Sequence, residues 1–181
     1  MDIYLITKNP GKLAAAQSVF KDTDINLLMP EKDYLEVQAN SSLEIAKFTA
    51  LEVAKELNTP AIREDHSLYI NALGIPGPYM NFFEEKISAD ILLKILSCFN
   101  DRSGFFEVAT VYAEPNGETK EYVFTVPIKF AVEKRGTLQQ GWSQIIMLDN
   151  ETRTLAEYPE SERLDIWNTN YKQIIRDLQK I

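Results

Sequence analysis

The first apolar run covers residues 3–6 and stops at Lys8-Asn9-Pro10-Gly11-Lys12. This pattern predicts a short buried strand over residues 2–7, a tight break, and a helix over residues 13–20. Asn9 suits the N-cap position and Pro10 the first helical position. A second strand is expected at residues 25–29. Apolar residues then recur at Leu43, Ala46, Ala50, Val53, Ala54 and Leu57, close to a 3.6-residue period. Ser41-Ser42-Leu43-Glu44 has the capping-box form that opens such a helix, and Thr59-Pro60 ends it. Residues 60–63 read as another core strand, with Glu64-Asp65 at its carboxyl end.

The second half is patterned differently. Leu73-Gly74-Ile75-Pro76-Gly77-Pro78-Tyr79 reads as a rigid turn. A helix over residues 87–99 turns Ile91, Leu92, Ile95 and Leu96 inward. Two long β-rich runs, 105–113 and 121–133, are joined through Glu114-Pro115-Asn116-Gly117, where Asn-Gly signals a hairpin. A final helix presents Tyr171, Ile174, Ile175, Leu178 and Ile181 on one face. Strands alternating with helices predict the α/β class: a mixed central sheet with flanking helices and a long β-hairpin. The expected organisation is one domain over residues 1–181, with two lobes around a cleft.

Composition narrows the function. A chain of 181 residues with 45% hydrophobic and 25% charged residues can bury a core without covalent staples. One cysteine, Cys98, allows no internal disulfide and suits the cytoplasm. Neither a signal-peptide core nor a membrane-length apolar stretch is present, so no membrane partner is expected. A net charge of −8 argues against a nucleic-acid polymer but leaves a small nucleotide open.

Three groups could carry chemistry. Thr7-Lys8-Asn9-Pro10-Gly11-Lys12 places a tight loop at a helix N-terminus, where backbone N–H groups, the helix dipole and Lys12 favour an anion; the alternative is an ordinary capped helix with two solvated lysines. Glu36, Glu64 and Asp65 supply carboxylates of the kind that hold Mg²⁺ together with substrate phosphates; the alternative is a solvated acidic turn. His66, the only histidine, suits packing better than a metal cluster. No Walker A loop, nucleophile elbow or zinc pattern occurs.

Taken in order, these segments resemble the inosine triphosphate pyrophosphatase family. Thr7, Asn9 and Lys12 match its Thr-x-Asn-x-x-Lys motif, and Glu36-Val37-Gln38 its Glu-x-Gln segment. Glu64 to Gly74 is similar to its acidic Asp-Ser-Gly-Leu stretch, followed by a Pro-Gly-x-Tyr turn at Pro76 to Tyr79. Gly141-Trp142 and Thr154-Leu155-Ala156-Glu157 stand where the family has two further motifs.

The resemblance implies a Mg²⁺-dependent nucleoside triphosphate pyrophosphatase that usually forms a homodimer. It assigns Thr7, Asn9 and Lys12 to the phosphates, and Glu36 with Asp65 to Mg²⁺. Asp65 would also position water, with Lys12 and Glu64 in support, and Arg163 would lie at the substrate. Trp142, assigned to the substrate too, and Trp167 offer stacking surfaces for the base, the alternative being plain core packing. The chain departs from the family at Gln140, Ser143, Trp167, Asn168 and Thr169, near the base, and at Thr49 and Asn81, where the family carries basic residues. These departures imply an altered or relaxed base preference. The alternative is a catalytically silent nucleotide-binding or regulatory member of the same fold.

Overall fold

The computed structural model describes residues 1–35 and 37–179. Among the described residues seven strands, numbered β1 to β7 along the chain with ranges given below, form one sheet in the order β2-β1-β3-β5-β6-β7, with β4 pairing β3. The α/β class expected from the sequence is what the chain adopts. By internal contacts it divides into two compact units: Met1–Asp65 with Val108–Phe124 and Leu164–Ile181, and His66–Glu107 with Thr125–Arg163.

In the first unit, β1 (Asp2–Ile6) runs into α1 (Pro10–Phe20) through the predicted break. Asn9 caps α1: its side-chain oxygen accepts from the N–H groups of Gly11 and Lys12, with Pro10 opening the first turn. β2 (Asn26–Leu28) and the first part of β3 (Ala61–Ile70) both pair parallel to β1, ending at Ile6 opposite Arg63. Between them lies α2 (Ser42–Leu57), with Ser41 as N-cap accepting from the Glu44 N–H. Its reciprocal arm reaches one residue further back than a standard capping box, to the Asn40 N–H. Asn58, in the left-handed region at φ 47°, ends the helix before Thr59-Pro60.

Two cores flank this part of the sheet. Ile3, Leu5 and Ile62 pack with α1 and with α6 (Thr169–Leu178). Ile6 and Ala61 pack with α2 through Ala46, Ala50, Val53 and Ala54. Neighbouring residues on β3 thus bury on opposite sides, as strand geometry requires.

In the second unit, β3 continues to Ile70 and pairs antiparallel with β4 (Ile75–Gly77). The Pro/Gly-rich stretch read as a turn is therefore part strand, with the Ile75-Pro76 peptide cis. Short helices α3 (Met80–Lys86) and α4 (Ala89–Leu96) follow. The sequence pattern misses α3 and starts α4 early; Ser88, whose hydroxyl accepts from the Ile91 N–H, sets the true N-cap. β5 (Ser103–Ala113) and β6 (Thr119–Phe130) are adjacent strands that contribute residues to both units. The turn joining them has Gly117 at φ 93°, where the Asn-Gly signal placed it. β7 (Ile146–Leu148) pairs antiparallel with β6, and α5 (Glu160–Trp167) precedes α6. Among the described residues no helix is long and apolar enough to cross a membrane.

Candidate active site

Glu64 and Asp65 lie in mid-strand, not at the end of a strand as expected. The short Pro60–Arg63 run understates β3 because its continuation is polar, and pairing rather than hydrophobicity extends it. The parallel partner β1, however, stops at Ile6 opposite Arg63. Relative to β1, the two acidic residues therefore sit just past a carboxyl end, the location where ligands bind in open α/β sheets.

The Thr7–Lys12 loop leaves β1 at that point. Thr7 is buried, and its Oγ1 accepts from the Asn9 N–H at 3.0 Å. Asn9 Oδ1 accepts from the Gly11 N–H at 2.8 Å and the Lys12 N–H at 3.4 Å. Thr7 and Asn9 thus shape the loop. The cap also occupies two of the helix-end donors that the anion reading relied on, so Lys12 and the Asn9 amide N–H₂ become its principal donors. Lys12 reaches across to β3, where Nζ donates to the Glu64 main-chain carbonyl at 3.1 Å. Lys8 instead pairs with Asp33 at 2.6 Å in solvent.

Glu64 and Asp65 have separate surroundings because they alternate across the strand. The Glu64 side chain is only 2% exposed, and Thr110 Oγ1 donates to its Oε2 at 3.3 Å. Its carboxylate also neighbours the buried Tyr171 hydroxyl, although that O–H falls short of a full hydrogen bond. Burial first, and then Glu64, push the Tyr171 ionisation well above the ordinary phenol value. Asp65, half-buried, belongs to the other face together with Arg63, whose Nη1 donates to the Ile6 carbonyl at 3.2 Å.

Sequence reasoning missed Arg63, Thr110, Asn170 and Tyr171. Arg63 carries a signal, as a cation two residues from Asp65 on the same strand face. The others lie too far along the chain for any local pattern to connect them.

Glu36 lies outside the described residues. Among the described residues no group of three or more histidine, cysteine or carboxylate side chains gathers as a metal site. Mg²⁺ needs only one or two carboxylates beside substrate phosphates and water, and the half-buried Asp65, one residue beyond the Glu64 carbonyl that Lys12 holds, fits that donor chemistry.

The other expected contacts belong to the second unit. Trp142 is 1% exposed, its Nε1 donating to the Ile87 carbonyl at 2.7 Å and its N–H to Glu84 Oε1 at 3.1 Å. This places the indole in the core of that unit, with no open face for stacking. Arg163 sits on α5 and donates to the Tyr158 carbonyl. Ser143 is nearly buried, its hydroxyl bonded to the Leu138 carbonyl at 2.9 Å. Thr49, in the first unit, is buried and bonds back to the Ile45 carbonyl at 3.2 Å, while the nearby Lys47 pairs with Glu121 at 2.7 Å. A shallow groove of about 420 Å³ in the second unit, lined by Asn71, Ser103, Phe105, Thr125, Pro127 and Asp149 among others, includes none of the expected residues.

Comparison with known proteins finds relatives that align over most of the chain. A dITP/XTP pyrophosphatase of Methanosarcina mazei is 34% identical over 151 residues, 83% of this chain and 82% of that protein. An inosine triphosphate pyrophosphatase of Ajellomyces capsulatus is 32% identical over 182 aligned positions, covering 96% and 93%. Among solved structures, a HAM1 protein from Coxiella burnetii superposes with a TM-score of 0.87 at 24% identity over the whole of both chains. The Staphylococcus aureus Ham1 protein gives 0.81 at 24% identity, covering 99% of this chain and all of that one. At such identities the superpositions establish the fold. The model of the Ham1 family matches residues 3–168, and the chain belongs to that family.

Proposed function

We propose that this chain hydrolyses a nucleoside triphosphate to the monophosphate and pyrophosphate, with Mg²⁺ and an altered or relaxed base preference. The observation that carries the reading is the Lys12–Glu64 contact, which joins a loop suited to phosphate to the strand segment bearing Asp65. Family membership and the pyrophosphatase names of the curated relatives support the same reaction class.

In this reading, Lys12 and the Asn9 amide hold the triphosphate tail, and Thr7 keeps the loop in shape. Asp65 orients a water against the α-phosphorus and accepts its proton. A new P–O bond forms as the bond from the α-phosphorus to the bridging oxygen breaks, and pyrophosphate leaves with that oxygen. Lys12, as a fixed cation, offsets charge that grows in the transition state. Asp65, with Glu36 from the sequence motif, would hold Mg²⁺, whose chemistry here is to neutralise phosphate charge. Glu64 supports the site from within the protein interior. The base preference follows from the replaced residues at Gln140, Ser143, Trp167, Asn168 and Thr169.

The chain is read as one functional domain, cytoplasmic and homodimeric. Tyr79 and Phe82, both exposed on and beside α3, support an apolar self-interface. Sedimentation as a monomer at micromolar concentration would remove the dimer.

A panel of ordinary and deaminated nucleoside triphosphates, assayed for pyrophosphate with Mg²⁺, tests the activity. Release from at least one is expected, and release from none overturns it. Nucleotide binding by calorimetry without turnover would instead select the silent, regulatory reading, which the missing carboxylate at Ser143 and the missing basic residues at Thr49 and Asn81 motivate.

A further inference from the structure

We propose that Thr110 is a positioning residue for this site: its hydroxyl, oriented by Asn170, fixes the Glu64 segment that anchors Lys12 and carries Asp65. The inference rests on the pyrophosphatase reading and deepens it.

A threonine hydroxyl has one proton to give. Asn170 Nδ2 donates to Thr110 Oγ1 at 3.0 Å, so the Thr110 oxygen is the acceptor there. Its own proton is then directed to Glu64 Oε2, 3.3 Å away. Asn170 is itself held, because the two protons of that amide nitrogen are shared among Thr110 Oγ1, the Val108 carbonyl at 3.0 Å and the Tyr122 carbonyl at 3.1 Å, one of them in a three-centre bond. Thr110, Glu64 and Asn170 are all at most 3% exposed, so water does not compete for these bonds. Leaving one of these buried polar groups unpaired would forfeit its hydrogen bond with no water to replace it, which biases the segment toward one arrangement.

The same residue that Thr110 grips by its side chain holds Lys12 by its main chain. Asp65 follows on the next position of the strand, so any rotation of the Glu64 peptide turns Asp65 as well. Thr110 touches no substrate in this arrangement; it acts through Glu64. Misplacing a reacting group by about 1 Å can cost roughly 100-fold in rate.

Thr110→Val removes the hydroxyl at nearly constant shape, and Thr110→Ser restores it. Pyrophosphate release should show kcat falling about 10- to 100-fold in Thr110→Val, with KM within about threefold, in protein whose melting temperature stays above the assay temperature. Thr110→Ser should keep kcat within about threefold of the unaltered chain. Should Thr110→Val fail to fold, Thr110→Cys, a weaker donor of similar size, takes its place and should give an intermediate kcat. A Val or Cys variant with unaltered kcat overturns the positioning role, as does a Ser variant that loses as much as Val. So does a loss in every variant that follows the fraction unfolded. An unaltered chain that releases no pyrophosphate overturns both this role and the function beneath it, whereas an active chain with an equally active Thr110→Val overturns the positioning role alone.

Discussion

The Glu84 carboxylate lies over the Cα of Gly141, where a Cβ would meet its Oε2 at 2.3 Å and its Oε1 at 2.4 Å. Gly141 also has φ 50°, a region that glycine enters without the steric cost other residues carry. Both conditions select glycine, and the next residue, Trp142, donates its N–H to the same carboxylate. The Gly141-Trp142 motif is therefore a packing device of the second unit. Gly141→Ala should destabilise the chain by about 2–3 kcal/mol, from backbone strain and the displaced carboxylate. Adding Glu84→Ala should recover only the steric part. Equilibrium urea unfolding of the single and double variants checks both.

Burial raises the Glu84 pKa above the ordinary carboxylate value, and the Trp142 N–H opposes the shift only in part. Between the unfolded value and the raised folded value, the folded chain binds more protons than the unfolded one. Stability attributable to Glu84 therefore falls as pH rises through that window, and stays reduced above it. Glu84→Gln retains an acceptor for Trp142 and removes the charge. It should raise the melting temperature at neutral pH by roughly 2–4 °C if about 1 kcal/mol is relieved. The gain should vanish below the unfolded carboxylate range. Melting curves of both proteins from pH 3 to 8 give the sign directly.

Thr154 and Glu157, at the other family motif of the second unit, close on each other. The Thr154 N–H donates to Glu157 Oε2 at 2.7 Å, and the Glu157 N–H to the Thr154 carbonyl at 2.9 Å. These bonds hold a single 3-10 turn, Leu155–Glu157, and Thr154 Oγ1 also donates to the Arg135 carbonyl at 3.0 Å. Thr154→Ala should cost about 1 kcal/mol, as helix-cap deletions do, and leave KM unchanged. A melting curve alongside steady-state kinetics separates the two effects.

Asp65→Asn keeps the shape of the side chain but removes its charge, and with it the base for the attacking water. Its kcat should fall about 100-fold or more, with a melting temperature close to that of the unaltered chain. Lys12→Met should lower kcat and raise KM together, since it removes both phosphate binding and charge compensation. Initial rates over a substrate series distinguish these signatures.

Chelation should abolish pyrophosphate release, and added Mg²⁺ should restore it. The decisive comparison is Glu36→Gln, which should raise the Mg²⁺ concentration giving half-maximal rate. Activity that persists in chelator would remove the metal from the reaction.

What the sequence determined by itself was local. Asn9 and Pro10 set the start of α1, Ser41 opened α2, and Asn116-Gly117 turned one strand back beside the next, because caps and tight turns are decided within a few residues of chain. The ordered motifs likewise carried the family. Tertiary structure alone decided that β3 runs on through Glu64 and Asp65, since a polar strand segment is held by its neighbours and not by its own hydrophobicity. It also decided that Trp142 is core. Glu64 meets Thr110 across 46 positions of chain and Thr110 meets Asn170 across 60, and no periodicity encodes such meetings. Only pairing β3 edge to edge with β5 and covering their shared face with α6 brings those side chains out of water and into contact.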